Sequence, residues 1–372
     1  MKTQVAATVQ KDAGRLIQLS EQLHANPETA WEEHRSARWV ADTLDEAGFA
    51  VTLNYLGLET AFLATYGGGP FRLGLCAEYD ALPGLGHACG HNLISAITVG
   101  AARALAPLAD AAGLTIEVYG TPAEEGGGGK IELLERGAFQ GLDLAMMAHP
   151  APVDVAEAEP FAVSHSHVSY TGKAAHAAAY PEQGVNAADA FTIAQVAVGL
   201  LRQQLPSSVR VHGVMTNGGE APNAIPERTA GRWYVRAESL AQLAETEEKV
   251  WRCFEAGAIA TGCKLDIAPE SKPYAEFRTF DPALQAYKRN AEELGRVFDT
   301  TSPARRMNRA STDMGNVSQV VRAIHPYIGI ASLPALNHQA EFAAACVGPD
   351  AEKAIRDAAT ALAWTALDMV NT

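Results

Sequence analysis

Positive charge is scarce in this sequence. There are 29 Lys and Arg against 43 Asp and Glu, for a formal net charge of −14. Nucleic acid and anionic membrane surfaces both need a basic footprint, so neither is expected as a partner. Long hydrophobic runs are missing as well, and no membrane span is expected. The opening residues, MKTQVAATVQKDAGRLIQ, hold no apolar core followed by a cleavage site, so no secretory signal is expected. Cysteine is sparse: the five, at 76, 89, 253, 263 and 346, are odd in number and scattered. They do not read as a disulfide framework. Internal repeats and low-complexity tracts are absent. No G-x-S-x-G nucleophile elbow occurs, and no G-x-G-x-x-G opens a helix after a first strand. Support for a serine hydrolase or a dinucleotide-binding oxidoreductase is therefore weak. An acidic, soluble, cytoplasmic protein is the expectation.

Apolar residues are plentiful, at 48% of the chain against 19% charged, and 372 residues favour two domains. Leu16, Ile17, Leu19 and Leu23 give helical spacing over Asp12–His24, ending before Pro27. A second helix is expected over Trp31–Ala47, closed by Gly48. Strands Ala61–Tyr66 and Phe71–Ala77 follow, then helix Leu93–Leu105, strand Leu114–Tyr119, helix Lys130–Arg136 and strand Leu142–Ala148. This alternation predicts an α/β sandwich with a mainly parallel sheet. After Phe161 the order becomes βαββαβ: Ser164–Tyr170, Ala187–Gln204, Val209–Thr216, Arg228–Ala237, Leu240–Ala260 and Lys264–Ala268. That is the order of a ferredoxin-like α+β domain. From about Lys272 the first pattern resumes, with helices near Pro282–Val297 and Asp350–Met369. The expected organisation is a discontinuous catalytic α/β domain, 1–162 and 272–372, carrying an inserted α+β domain at 163–271.

The chemistry concentrates at three strand ends. The stretch Ala77–Asn92 follows a buried-type strand and precedes a helix, the edge where open α/β sheets bind ligands. Within it, Cys89 and His91 flank one glycine and can turn toward a single point. Thiolate and imidazole suit zinc, and also manganese, iron or cobalt. A buried Cys beside a helix-capping His would look the same. At the next strand end Glu124 and Glu125 precede four glycines, Gly126–Gly129. One carboxylate can bind metal while its neighbour takes a proton from water, although paired acids also occur on solvated turns. The glycine run is not a phosphate loop, because it lacks the Gly-Lys-Ser/Thr ending. The third strand ends in His149-Pro150.

These residues resemble the M20 metallopeptidases and amidohydrolases. The closer likeness is to the branch with auxin-conjugate hydrolases, aminobenzoyl-glutamate hydrolase and β-alanyl-lysine dipeptidase-like proteins. Its marks run along almost the whole chain. They are His24–Glu28, Asp80–Asn92, Pro122–Glu125, His149-Pro150, Gly172–Ala177, Asn223–Glu227, Ser311–Ser318 and Leu336–His338. The resemblance implies a pair of divalent ions (Zn or Mn, or Co or Ni) held by Cys89, His91, Glu125, His149 and His338. It implies Glu124 as general base and then acid, and Asp80 orienting a ligand. The implied reaction is hydrolysis of the amide bond of a small N-acyl amino acid or dipeptide by water activated at the metals.

It also implies that His176 stabilises the oxyanion from a partner subunit, which would make the insert both lid and dimerisation domain of a homodimer or higher homo-oligomer. Asn223 and Asp313 are substrate-cleft candidates by resemblance only. Arg232, Tyr234 and Arg236 share one strand face by the period of two, opposite Trp233 and Val235. The arginines suit a substrate carboxylate, or surface salt bridges. Arg305, Arg306 and Arg309 suit an acidic tail or a solvated loop. His24, His34, His165, His167, His212 and His325 read as structural or exposed, and His87 as a neighbour of the ligand pair. Two other readings stand beside this one: an amidase with Cys89 as nucleophile, and a catalytically inactive binding homologue.

Overall fold

The computed structural model describes residues 1–370 and divides into two compact units. One is built from residues 161–276 and the other from the chain on either side. In chain order the first stretch gives α1 (Lys2–Ala25), α2 (His34–Asp45), β1 (Ala50–Leu53), β2 (Phe62–Gly67), β3 (Phe71–Ala77), α3 (His91–Leu105) and α4 (Ala109–Ala112). It continues with β4 (Leu114–Gly120), α5 (Gly129–Glu135), β5 (Leu144–Met146) and β6 (His149–Ala151). Residues 161–276 hold β7 (Ala162–Thr171), α6 (Ala187–Leu201), β8 (Arg210–Asn217), β9 (Arg228–Ala237), α7 (Leu240–Thr261) and β10 (Lys264–Pro269). The chain then forms α8 (Asp281–Glu293), α9 (Met314–Ser318), β11 (Ala323–Ile324), β12 (Tyr327–Gly329), α10 (Ala340–Ala345) and α11 (Pro349–Met369).

The larger unit is a mixed α/β layer. Its six-stranded sheet has the order β1-β2-β4-β3-β5-β11. The four strands β4, β3, β5 and β11 run parallel, β2 runs antiparallel to β4, and β1 antiparallel to β2. The sheet is therefore less parallel than the alternation suggests, because β2 enters in the reverse direction between β1 and β4. Strand β3 matches its expected bounds, since Leu73, Leu75, Cys76 and Ala77 are buried without alternation, as in a strand covered on both faces. Helix α3 packs along this sheet with every residue but Arg103 buried. Each of Leu93, Ile94, Ile97 and Leu105 is fully buried, worth roughly 1.5–3 kcal/mol apiece.

The stretch His91–Ala112 is long and apolar enough, by composition, to cross a membrane. Length and composition do not separate a core helix from a span. Here 89% of that window is buried inside the unit, as in the core helix of a globular protein. The expected strand Leu142–Ala148 is a correction. Strand β5 stops at Met146, and His149 opens the separate strand β6, which pairs with β12.

The smaller unit has the sheet order β10-β7-β9-β8, entirely antiparallel, with α6 and α7 packed on one face. Trp233 and Val235 point into that core, whereas Arg232 is exposed and Tyr234 and Arg236 are half-buried. Strand β8 is an edge, and Val214 on it is exposed.

Candidate metal centre and its surroundings

Three strand ends of the larger unit converge. Strand β3 delivers Glu78 and Asp80 just past Ala77, and the turn that follows delivers Cys89 and His91. Between these two, Gly90 takes φ +83°, a left-handed conformation that side chains disfavour. A Cβ there would lie 2.9 Å from Pro150, so glycine is required both for the turn and for the close pass of β6. Strand β4 leads to Glu124 and Glu125, and Gly129 lets α5 begin against the Pro122 carbonyl, 1.9 Å from where a Cβ would stand.

The Sγ of Cys89 lies 3.5 Å from His149 Nε2. The Nδ1–H of His149 donates to the Pro150 carbonyl at 2.8 Å, so Nε2 keeps its lone pair toward Cys89. Similarly, His91 Nδ1–H donates to Asp80 Oδ1 at 3.0 Å, which turns Nε2 inward. The second oxygen of Asp80 accepts the Glu125 amide at 2.9 Å. One buried carboxylate thus fastens an imidazole and the backbone of the acidic pair, the role of a group behind a metal ligand. Burial alone would raise its pKa, but the adjacent His91 outweighs this and lowers it.

Donor atoms gather in three overlapping groups, each within 4.8 Å: Cys89, His91 and His149; Cys89, Glu125 and His338; and Glu78, His91 and Glu124. His338 is 54% exposed, takes φ +68° and stands 3.5 Å from Glu125 Oε1. Among the described residues, His91 Nε2 and Glu125 Oε1 are buried without a hydrogen-bond partner. Buried polar atoms without a partner are costly, and a cation between these two would satisfy both. The donor set of thiol, imidazoles and carboxylate suits a borderline divalent ion. The residues therefore fit a metal centre.

Glu124 is buried, and burial followed by the charges of Glu78 and Glu125 pushes its pKa well up, as a proton carrier requires. Burial, and then Glu125, pushes the Cys89 thiol up, while burial pushes His149 down. For His91, the other imidazole beside Cys89, burial alone would lower the pKa, but Asp80 outweighs it and raises it well above normal.

Asp313, expected near substrate, is fully buried. Its Oδ1 takes the Lys130 ammonium at 2.6 Å and its Oδ2 the Lys130 amide at 2.9 Å. It is committed to Lys130 rather than open to a ligand. Arg232 is likewise engaged, by the Glu270 carboxylate, and Arg309 by Glu159 at 2.8 Å. Arg236 Nε lies 3.4 Å from His212 Nε2. In the smaller unit exposed His176 accepts the Ala178 and Ala179 amides at Nδ1 and forms a bridge with Ala224, next to exposed Asn223. The tertiary fold thus gathers Asp80, Cys89, His91, Glu124, Glu125, His149 and His338 within the larger unit, and brings the His176 and Asn223 loops together within the smaller.

Three residues of this region, Glu78, Lys130 and Glu33, were given no role by the sequence. Glu78 sits two positions before Asp80, where the strand period was the available signal. Lys130 was legible only as the first residue of the helix Lys130–Arg136. Buried Glu33 accepts the Ala123 amide at 2.8 Å, holding the φ +56° residue before Glu124, and burial then Asp80 push it to about 7. His325 stacks on His149 with centroids 5.6 Å apart, and burial pushes it to about 4. His87 lies beside this cluster, stacked on His24 at 6.3 Å, and burial followed by His91 lowers it to about 3.

A profile of peptidase family M20/M25/M40 matches residues 74–360. Over its full length the chain is 41% identical to the Xaa-Arg dipeptidase of Mus musculus, covering 89% of that protein. It is 32% identical to one of the p-aminobenzoyl-glutamate hydrolase chains of Escherichia coli, over 74% of this chain and 62% of that one. In fold it is similar to a dinuclear metal-binding M20 peptidase from Bacillus subtilis, with a TM-score of 0.72 at 20% identity over 98% and 99% of the two chains. An aminobenzoyl-glutamate utilization protein from Klebsiella pneumoniae gives a TM-score of 0.75 at 22% identity over 97% of each. With its clustered ligands and this likeness along the whole chain, the protein belongs to peptidase family M20/M25/M40, metal-dependent hydrolases of amide and peptide bonds.

Proposed function

We propose that this enzyme hydrolyses the amide bond of a dipeptide or small N-acyl amino acid with two divalent ions, zinc or manganese, at the centre. The observation that carries the reading is the pair of donor groups, Cys89/His91/His149 and Cys89/Glu125/His338, sharing one thiol beside Glu124. Two ions when bound supply a Lewis acid for the carbonyl and lower the pKa of water. Glu124 takes the proton of the attacking water and delivers it to the leaving nitrogen, so the C–N bond breaks to an acid and an amine. Asp80 holds His91 and the Glu125 amide in place throughout. By the family resemblance, His176 of a second subunit is the candidate to meet the oxyanion, with Asn223 and Arg236 further candidates for substrate contacts.

The likeness to Xaa-Arg dipeptidases supports dipeptides with a basic C-terminal residue as first substrates. A homodimer through the smaller unit is supported by the open edge of β8 and by exposed Val196 and Leu200 on α6, at 58% and 62%. Five free cysteines support a reducing compartment, the cytoplasm.

The test is metal content together with hydrolysis of Xaa-Arg and β-alanyl dipeptides, N-acetyl amino acids and aminobenzoyl-glutamate by wild type and Glu124→Gln. About two ions per chain, with kcat lowered roughly 10²–10⁴-fold in Glu124→Gln while metal is retained, is the expected result. Activity that survives metal removal and is abolished by iodoacetamide would overturn it in favour of the thiol.

A further inference from the structure

Glu78 has no part in the chemistry above, yet its carboxylate enters the donor cluster. Its Oε2 lies 3.5 Å from His91 Nε2, and Glu78, His91 and Glu124 offer ligand atoms within 4.8 Å of one another. Among the described residues neither Glu78 Oε2 nor His91 Nε2 has a hydrogen-bond partner, and both side chains are fully buried. With His91 Nδ1 given to Asp80, its Nε2 points inward at the Glu78 carboxylate oxygen.

The carboxylate is aimed from behind. Lys130 Nζ stands 2.6 Å from Glu78 Oε1, and Ser95 Oγ–H donates to the Glu78 carbonyl at 2.6 Å. Lys130 itself is anchored on Asp313, also at 2.6 Å. Oε1 is therefore occupied and Oε2 is left directed at His91.

Geometry separates two roles for Glu78. As a counter-ion to Lys130 it is redundant, since Asp313 holds that ammonium at the same distance. The second Glu78 oxygen, Oε2, lies on the His91 side instead, within the donor group of Glu78, His91 and Glu124. We propose that Glu78 is a further ligand of the ion held by His91, oriented by the buried Lys130 ammonium. The inference rests on the metal-dependent reading above.

The test uses the full-length protein loaded with Co²⁺ or Zn²⁺, with Glu78→Gln and Glu78→His beside wild type. Affinity is read by competition with a chromophoric chelator, and donor type by the visible Co²⁺ spectrum. Glu78→Gln should weaken binding by more than about 100-fold, beyond the roughly 10–100-fold typical of outer positions. Glu78→His should recover most of that loss, because imidazole is a donor but no partner for Lys130. Its Co²⁺ bands should shift as nitrogen replaces oxygen. A Glu78→His protein that binds as weakly as Glu78→Gln, with wild-type bands, would overturn the proposal in favour of the counter-ion role. A crystal structure of the zinc-loaded wild type needs no variant. Oε2 at about 2.0–2.2 Å from the ion supports ligation, and a clearly longer separation overturns it. Wild type that binds no divalent ion would sink the metal reading itself, whereas binding with Glu78 held away sinks only this inference.

Discussion

Lys130 gives the sharpest stability prediction. Its ammonium is fully buried between Glu78 and Asp313, at 2.6 Å from each. At an effective dielectric of about 20, one such pair is worth about 6 kcal/mol of Coulomb energy before desolvation is counted. Burial alone would lower the Lys130 pKa, and the Asp313 and Glu78 charges reverse that and raise it well above normal. Lys130→Met removes the charge at similar length and strands two carboxylates in a dry site. Breaking a buried pair in this way costs about 3–5 kcal/mol.

The assay is guanidinium unfolding of the metal-free protein, followed by hydrogen exchange in β3 and α3 so that the larger unit is read by itself. Metal-free conditions keep linkage to ion binding out of the comparison. Asp313→Asn and the double variant complete a cycle, in which a coupling of about 2 kcal/mol or more is expected. Lys130→Met within about 1 kcal/mol of wild type would refute the reasoning, since the two carboxylates would then have been neutralised by something else.

Other outcomes follow from the same geometry. Gly90→Ala should cost about 1–2 kcal/mol from its left-handed backbone, with a further loss of metal affinity as Cβ pushes on Pro150; calorimetry and chelator competition would show both. His165, buried against Tyr234, is pushed down to about 4 by burial and then by Arg236. Its folded pKa lies below the unfolded value near 6.5, so the unfolded chain binds more protons between these limits. Stability of the smaller unit should therefore fall as pH drops through that window. The loss between pH 7 and 5 is about 2 kcal/mol, and His165→Phe should flatten that part of the denaturation profile. Leu200→Glu on α6 should convert a homodimer to monomer in light scattering without loss of bound metal, and an unchanged mass would move the interface elsewhere.

What the sequence by itself determined are the features encoded within one turn of chain. The continuous apolar run of β3, the alternating face of β9 and the turn at Gly90 are local patterns, and each side-chain class has one physical use there. Cys89 with His91, and Glu124 with Glu125, were legible for the same reason, because each pair is adjacent or separated by one residue. Short elements were not: β11 and β12 have two and three residues, too few to show a period. The first turns of α1 escaped too, since Val5 and Val9 are buried in a stretch that is otherwise mostly polar or alanine.

Only the tertiary structure decided which charges meet. Lys130 and Asp313 are 183 residues apart, and nothing in either segment announces the other. Once buried together they must balance, because a dry interior charges several kcal/mol for any ion left alone. That balance holds Asp313 on Lys130 and places Glu78 beside His91. Local chemistry named the donors, and long-range packing set the charge they sit in.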